Sequence, residues 1–283
     1  MKEEFLVPSD VVQLMWQEKS LTSPSFANLD VGINAYILLV DEQDISKTAH
    51  VRYLGNSTCK LTPTRLSFQK VGGKDMGQHE LLDSLNEDSI KIVGVTGPAG
   101  AGKTYISIAW AVDQIMRNKE VKVIFTKPTV TVGGAAFFGA VPGDVQDKFG
   151  IFLESYQNNI DKILGDSVKS ATMVQTWIDK EIISFKPIQF SRGCNWDNTI
   201  LIADECQNLQ WHELKTILSR LGENSKAVLL GDLKQKDVKA TGFDAFLASE
   251  GFDKSEITSH VKLVKDYRGP ISKLVGVIGE ELG

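Results

Sequence analysis

Hydrophobic and polar positions alternate differently in two parts of the chain, and the amino-terminal part is rich in predicted strands. A short amphipathic helix is predicted over Val11–Glu18 and precedes a Ser/Pro loop. From Gly32 to Phe68 the pattern is of strand type, since AYILLV and AHVRYLG are separated by polar and turn residues. We therefore predict a small β-rich module in residues 1–76, with the glycine-rich, charged segment Lys70–Gly77 as the linker.

Residues 77–283 show a different pattern, in which strand-length apolar runs alternate with helical periods. This alternation is typical of a mostly parallel sheet with helices on both faces, so the fold class is α/β. The predicted strands are Ile90–Val95, Val121–Phe125, Ile200–Ala203 and Ala227–Leu230, with shorter elements near Ile182, Ile188 and Val261. The predicted helices are Tyr105–Met116, Phe149–Leu164, Met173–Lys180 and Trp211–Leu221, with a late element near Ile271.

The segment after the first of these strands reads GPAGAGKT, which is the GxxxxGK[ST] pattern of a phosphate-binding loop. Its glycines let successive backbone N–H groups point at phosphate oxygens at a helix N-terminus. Lys103 then reaches the β- and γ-phosphates of ATP, and the Thr104 hydroxyl binds Mg²⁺. The alternative, a chance glycine turn before a helix, is disfavoured by the Lys-Thr pair in register. The predicted nucleotide-binding residues are Gly97, Pro98, Ala99, Gly100, Ala101, Gly102, Lys103, Thr104 and Tyr105.

A second motif consists of the apolar run from Thr199 to Ala203 and the two acids that follow, Asp204 and Glu205. This is a Walker B pattern. A buried strand next to the P-loop strand would place Asp204 to hold Mg²⁺ and Glu205 to polarise the attacking water. The alternative is a helix cap, because acids often begin a first turn. The second acid favours hydrolysis over nucleotide storage.

A third motif, GDLKQ, follows the next apolar strand and contains Asp232 and Gln235. The carboxyl end of such a strand faces the nucleotide, so Gln235 is predicted to bond the γ-phosphate or the attacking water. An ordinary exit from strand to loop is the alternative. The pairing of DECQ with GDLKQ resembles the arrangement in superfamily 1 helicases, which favours the γ-phosphate role.

Composition limits the kind of partner. The net charge of −5 gives no overall field that would attract nucleic acid or an acidic membrane, so any polyanion site must be local. Cys59, Cys194 and Cys206 show no metal-site spacing and are expected to be reduced thiols. No charged leader or membrane-length apolar run is seen, and we expect a soluble, cytoplasmic protein with no membrane partner.

The motifs of the second part, in order and spacing, resemble the PhoH family of phosphate-starvation-type ATPases from about Gln78 onward. That resemblance implies a single RecA-like core, ATP and Mg²⁺ as ligands, and ATPase or RNA helicase activity. Three positions depart from the family pattern: Lys127 and Cys194 stand where arginine is usual, and Cys206 where alanine is usual. The matching segments are TGPAGAGKTY at 96–105, TKP at 126–128, GAVPGDVQDK at 139–148, SRG at 191–193, ILIADECQN at 200–208, SRLG at 219–222, GDLKQ at 231–235 and DYRGP at 266–270.

Three further site residues are predicted. Gln78 precedes Gly97 by nineteen residues, a separation similar to that of the adenine-reading glutamine of superfamily 1 helicases. An exposed helical glutamine is the alternative. Arg268 and Arg220 lie in family motifs and are candidates for the arginine that stabilises charge in phosphoryl transfer, with Arg268 preferred. Surface ion-pairing residues are the alternative for both. If a neighbouring subunit supplies the arginine, a homo-oligomeric, possibly hexameric ring is expected.

The amino-terminal module is similar to the segment that precedes the ATPase core in PIN-fused PhoH proteins. Too few residues precede Asn34 for a PIN nuclease, so we expect no ribonuclease activity from this chain. A role in contacting a partner or a nucleic acid strand is the positive hypothesis for the module.

Three function classes fit the motifs: an ATPase stimulated by RNA or single-stranded DNA, a nucleotide-switched remodelling or assembly ATPase, and a small-molecule kinase. The helicase-like motifs favour the first. An arginine-rich lid for a kinase is missing, and Glu205 suits water as the acceptor. One RecA-like core is all that the chain accommodates, so translocation would need several subunits. The predicted strand contacts, chosen for cationic or aromatic character, are Lys127, Lys148, Arg192, Trp196 and Trp211.

Overall fold

The computed structural model describes most of the chain, and every structural statement below refers to that part. The described residues are 3–117, 120–128, 145–165, 168–186, 188, 195–234, 242–270, 274 and 278, with the backbone alone over 145–153.

The amino-terminal residues form the predicted β-rich module. Its elements are β1 (Glu4–Val7), α1 (Ser9–Glu18), β2 (Ser20–Thr22), β3 (Tyr36–Asp41), β4 (Thr48–Gly55) and β5 (Thr58–Leu61). The strands form one sheet in the order β1-β3-β4-β5-β2, in which β1 runs parallel to β3 and the other pairs are antiparallel. Helix α1 covers this sheet, and its Val12 and Met15 pack with Leu39 and Val51 in a separate apolar core.

The second part of the chain contains the parallel sheet that the sequence predicts. Its strands are β8 (Ile92–Thr96), β9 (Lys122–Thr126), β10 (Ile183–Phe185), β11 (Thr199–Ala203), β12 (Lys226–Gly231) and β13 (Thr258–Lys262). They lie in the order β10-β9-β11-β12-β8-β13, and each neighbouring pair is parallel. All their carboxyl ends therefore meet at one edge of the sheet, which is where ligands bind in open α/β sheets.

The strand order corrects one expectation from the sequence. The strand that ends in Asp204 was expected next to the P-loop strand, but β12 lies between β11 and β8. In register, Leu229 pairs with Ala203 on one side and with Gly94 on the other. The exit of β12 is consequently inserted between the P-loop and the Walker B acids.

Helices cover both faces of this sheet. On one face lie α2 (Met76–Asn86), α3 (Lys103–Arg117), α4 (Val145–Leu164) and α5 (Val168–Asp179), whose apolar residues join one core with the strands. On the other face, α6 (Trp211–Leu218) and α7 (Gly242–Leu247) contribute Leu214, Ile217 and Phe243 to a second core. Helix α8 (Glu250–Asp253) leads into β13. The α/β fold class is confirmed.

Several predicted elements differ in detail from those observed. The segment Lys70–Gly77 does not stand apart as a linker, because β6 (Ser67–Phe68) pairs with β7 (Val71–Gly72) and both contact α3. Asp75 caps α2 by accepting from the Gln78 N–H, so the predicted boundary at residues 76 and 77 falls in the first turn of a helix. Ile188 is not in a strand, and α2, α7 and α8 were not predicted. The element expected near Ile271 lies outside the described residues.

Helix α2 is joined to the amino-terminal sheet through a buried polar network centred on Arg52. This side chain is 1% exposed. Its guanidinium lies 3.0 Å from Asp83 and 2.6 Å from Glu87, and it donates to the Asn34 amide oxygen at 3.1 Å. The Tyr36 hydroxyl donates to Asp83 at 2.8 Å. Because a buried charge is tolerated only when it is paired and hydrogen-bonded, these contacts fix the orientation of α2 on the module.

The carboxyl end of α2 is held by the first residue of β12. The Lys226 ammonium donates to the carbonyl oxygens of Ser84, Leu85 and Glu87 at 3.1, 2.7 and 2.9 Å. It also lies 5.3 Å from the centre of the Trp110 ring. A cation at this position satisfies carbonyls that have no partner within the helix and opposes the negative end of the helix dipole. Burial lowers the pKa of Lys226 to about 7.

We expect Arg52→Met to destabilise the chain by about 3–5 kcal/mol, because Asp83 is left as a buried carboxylate without its cation. The shift of the urea-unfolding curve measures this loss. Lys254→Met is the control, since it breaks the exposed pair with Glu250, and its unfolding curve should superimpose on that of the parent. A loss below about 1 kcal/mol for Arg52→Met would contradict the buried network.

Candidate nucleotide-binding site

The P-loop has the backbone that a phosphate-binding loop requires. It follows β8 after Thr96 and leads directly into α3 at Lys103. Gly97, Gly100 and Gly102 have φ angles of +154°, +81° and +94°, which L side chains rarely adopt. The first N–H groups of α3 have no helical acceptor, so they and the loop amides can bind an anion.

The chain after β13 passes along this loop. The Tyr267 N–H donates to the Gly100 carbonyl at 3.1 Å. A side chain on Gly100 would collide with Asp266 and with the aliphatic part of Arg268. Arg268 therefore lies against the P-loop of its own chain, and its role in phosphoryl transfer stays a prediction.

Lys103 lies over the loop that precedes it. Its ammonium donates to the carbonyls of Gly97 at 2.6 Å and Pro98 at 3.0 Å. Burial lowers the pKa of Lys103, while the carboxylates of Asp232 and Asp204 oppose that shift. An ammonium this close to the loop amides is placed to neutralise phosphate oxygens that bind there.

Thr104 and Asp204 meet although the strands that precede them, β8 and β11, are not adjacent in the sheet. The Thr104 hydroxyl donates to Asp204 Oδ2 at 3.1 Å, and the Asp204 N–H donates to the Thr126 carbonyl at 2.9 Å. Hydroxyl and carboxylate oxygens are the ligands that Mg²⁺ prefers, usually one or two together with phosphate and water. No group of three metal-binding side chains occurs among the described residues. The pair fits a metal that is held jointly with a nucleotide.

Glu205 occupies a strained backbone position. Its φ of 57° and ψ of 35° lie in the left-handed region, which costs about 1–3 kcal/mol for a residue other than glycine. The Glu205 N–H donates to Asp204 Oδ1 at 3.0 Å. One carboxylate oxygen lies 3.7 Å from the Lys127 ammonium, and the other accepts from the Gln207 amide at 2.6 Å. These contacts hold the carboxylate at the edge of the sheet beside Asp204.

Gln207 is a site residue to which the sequence analysis gave no role. It is 2% exposed, and its amide oxygen accepts from the Asp232 N–H at 3.0 Å. The side chain thus connects Glu205 to the exit of β12. The only signal in the sequence was its place in the DECQ motif, which does not reveal a contact with a residue 25 positions further on.

Gln78 reaches the P-loop from α2. Its amide nitrogen donates to the Ala101 carbonyl at 2.9 Å, and its amide oxygen accepts from the Lys74 N–H at 2.9 Å. The alternative of an exposed helical glutamine is wrong, because Gln78 is 4% exposed. Contact with adenine stays a prediction, and it would require the amide to exchange these partners.

The structure separates some predicted residues from the site. Arg220 lies beyond the amino ends of β11 and β12, where its carbonyl accepts from the Trp196 N–H at 2.7 Å, so it is at the opposite edge from the P-loop. A role of Arg220 toward a neighbouring subunit stays a prediction. Trp196 is 6% exposed and cannot stack on a nucleobase from this position.

Gln235, Arg192 and the Lys148 side chain lie outside the described residues. Within the loop and first turn of α3, the remaining predicted residues are Pro98, Ala99, Ala101 and Tyr105.

Fold and site together define a P-loop nucleotide-binding protein with a RecA-like α/β core. Comparison with known families makes the assignment narrower. Residues 70–268 match the family described as PhoH-like protein, and the chain belongs to this family. The resemblance found in the motifs is confirmed.

Curated relatives match different shares of the chain's length. The PhoH-like protein of Bacillus subtilis is 32% identical over 165 residues, which are 58% of this chain and 49% of that protein. Protein PhoH2 of Mycolicibacterium smegmatis is 28% identical over 290 residues, which cover 96% of this chain and 64% of that protein. The chain therefore spans about half to two-thirds of the length of these relatives.

Among solved structures, the Pif1 helicase of Candida albicans has a TM-score of 0.38 and 17% identity, and covers 74% of this chain and 44% of its own. A Bacteroides Pif1 helicase in complex with ADP-AlF3 and single-stranded DNA has a TM-score of 0.34 and 15% identity, and the match covers 71% of this chain and 44% of that chain. Within the described part of the chain, no helix is long and apolar enough to span a membrane.

We expect Asp204→Asn to raise the melting temperature of the nucleotide-free protein near neutral pH. Burial, followed by the Glu205 carboxylate, raises the pKa of Asp204. The folded chain therefore binds this proton more tightly than the unfolded chain, so ionisation costs stability that is regained as the pH falls through the raised pKa. Asparagine removes that cost. The same variant should lose the stabilisation that Mg²⁺ and ATP give the parent.

Thermal melts with and without Mg²⁺-ATP measure both effects. Asp179→Asn is the control, because this exposed carboxylate on α5 accepts from the Gln175 amide one turn earlier on the same helix. An Asp204→Asn variant that melts at or below the parent temperature without nucleotide would contradict the electrostatic cost.

Proposed function

We propose that this chain is a Mg²⁺-dependent ATPase of the PhoH family whose turnover is coupled to single-stranded RNA or DNA, working as a homo-oligomer. The observation that carries hydrolysis is the junction of the P-loop with the Walker B acids. The Thr104 hydroxyl donates to Asp204 at 3.1 Å, and Glu205 stands next to Asp204. The Glu205 carboxylate accepts from the Gln207 amide at 2.6 Å and lies 3.7 Å from the Lys127 ammonium.

Each part of the junction has a separate task in this proposal. The loop amides and Lys103 bind the phosphates, while Thr104 and Asp204 hold Mg²⁺. Held by these two residues, Mg²⁺ would supply positive charge that offsets the negative charge of the phosphates. Glu205 orients the attacking water. Among the described residues at this edge, no hydroxyl group is predicted to accept the phosphoryl group in place of water.

Arg268 is proposed as the arginine that stabilises charge during phosphoryl transfer, acting within its own chain. Its position against Gly100 supports this role, since the side chain extends from a segment bonded to the loop. Such an arginine contributes ~10³- to 10⁵-fold in rate. The proposed oligomer then serves to contact a strand with several cores rather than to complete the active site.

We expect Glu205→Gln to slow ATP turnover by ~10²-fold or more while ATP affinity stays close to that of the parent, because the amide cannot accept a proton from water. Steady-state phosphate release and equilibrium nucleotide binding measure the two quantities. Glu223→Gln, an exposed acid near the amino ends of the strands, is the charge-matched control. Parent-like turnover in Glu205→Gln would remove Glu205 from the mechanism.

Coupling to a nucleic acid strand is supported by groups near the same edge. Trp211 begins α6, shortly after the turn that carries Glu205, and 51% of its surface is exposed. Its ring stacks on Phe246 at 5.9 Å between centroids. A supported, half-exposed indole suits stacking with a nucleobase, which is tolerant of sequence. The Lys127 ammonium lies at this edge as well, 3.7 Å from the Glu205 carboxylate.

We expect single-stranded RNA to raise ATP turnover at about 50 mM salt and to do so less at about 200 mM, because phosphate contacts release counterions. Trp211→Ala should raise the RNA concentration for half-maximal stimulation at least about fivefold, since one stacked base contributes about 1–3 kcal/mol. Met116→Ala is the control, since Met116 is likewise 50% exposed and lies in the last turn of α3, at the end of the helix away from the P-loop.

Hydrolysis that is indifferent to RNA and to single-stranded DNA at both salt concentrations would contradict the coupling. It would favour the alternative, a nucleotide-switched remodelling ATPase that separates no strands. Equal effects of the Trp211 and Met116 variants would instead leave the strand contact without its proposed stacking residue.

A further inference from the structure

Gln207 uses both ends of a buried side-chain amide. Its nitrogen donates to Glu205 Oε2 at 2.6 Å, and its oxygen accepts from the Asp232 N–H at 3.0 Å. A carboxylate can only accept and a backbone N–H can only donate, so these partners fix which end of the amide faces which group. The contact to Glu205 is charge-assisted, a class that is shorter and stronger than a bond between neutral groups.

The second partner of Gln207 is Asp232, which directly follows β12, the strand next to the P-loop strand β8. Gly231 pairs with Thr96 in the sheet, and its carbonyl accepts from the Gly97 N–H at 3.2 Å. A side chain on Gly231 would lie 2.8 Å from Phe243 and 3.2 Å from Gln207, so glycine lets the amide pack directly over the strand. Gln207 thereby links the Glu205 carboxylate, through Asp232 and Gly231, to Gly97, the first residue of the P-loop.

This connection is needed because of the strand order. Glu205 lies on the exit of β11, whereas the P-loop follows β8, and β12 separates the two. Backbone pairing alone fixes Asp204 and Glu205 relative to β12 but leaves the carboxylate free to rotate about its own side-chain bonds. A displacement of about 1 Å in a reacting group can lower the rate ~10²-fold. A contact that restricts these rotations is therefore expected to affect the rate of hydrolysis.

We propose that Gln207 is a positioning residue for Glu205: it holds the carboxylate in register with the phosphate loop, through the exit of β12, for activation of water. This inference rests on the proposed ATP hydrolysis. Gln207 acts through Glu205 and not on the nucleotide, so its loss changes the rate of the chemical step and leaves ATP binding intact.

The test is a double-mutant cycle on the full chain with Gln207→Met, Glu205→Gln and the pair together. Gln207→Met keeps the length and apolar bulk of the side chain and removes both hydrogen bonds. We expect kcat to fall at least about tenfold in the parent background with ATP affinity within about twofold. In the Glu205→Gln background the same change should lower kcat by less than about twofold, because residues that act as a unit are not additive.

Gln207→Glu separates the two bonds. It still accepts from the Asp232 N–H but presents a second carboxylate to Glu205, so kcat should fall at least as far as in Gln207→Met. Cys206→Ala is the control on the same turn, since the buried thiol donates to the Ala203 carbonyl and lies in the second core, outside the contacts of Gln207 with Glu205 and Asp232. It should retain parent kcat and affinity.

The outcomes are distinguishable. A fall in kcat of the same factor in both backgrounds, or parent kcat in Gln207→Glu, would show that Gln207 is merely structural and overturn the inference while hydrolysis stands. A parent chain that binds ATP without hydrolysing it would overturn the proposed function, and the role of Gln207 with it.

Discussion

The constraint on which the site depends is that parallel strands deliver their carboxyl ends to one edge of the sheet. The P-loop, Lys127, the Walker B acids and Asp232 each follow a different strand, and they meet only because all these strands run in the same direction. The interposed β12 sets their spacing. It separates Glu205 from the P-loop by one strand and brings Gln207 and Asp232 into the gap.

The chemistry of the site could be predicted from the sequence where it depends on local segments. Lys103 and Thr104 are placed by the loop and helix that contain them, and Asp204 and Glu205 by the strand that they end. Local periodicity also predicted the parallel sheet. The order of the strands could not be predicted, since a strand's neighbours are decided by how crossovers pack and not by the residues of the strand itself.

Which polar residues near the motifs are buried at the site could not be predicted either, for the same physical reason. Gln78, Gln207 and Arg220 look alike in sequence, as polar residues in or near motifs, yet the first two are buried in contacts with distant backbone groups and the third lies at the opposite edge. Helix α2 was missed because its inward face includes Glu80 and Asp83, which lower the apolar signal. Such side chains become interior only when another segment supplies their partners.

Helix α2 also bears on how the protein can be divided. Its first turn carries Gln78, which touches the P-loop, while further along the helix Asp83 is paired with Arg52 of the amino-terminal sheet. The match to the PhoH-like family begins at residue 70, whereas Arg52, the cation paired with Asp83, precedes it. A chain cut at that residue would retain every ATP-site motif and lose the cation that neutralises Asp83. The cut would therefore leave a buried carboxylate without its cation on the same helix that carries Gln78 to the P-loop.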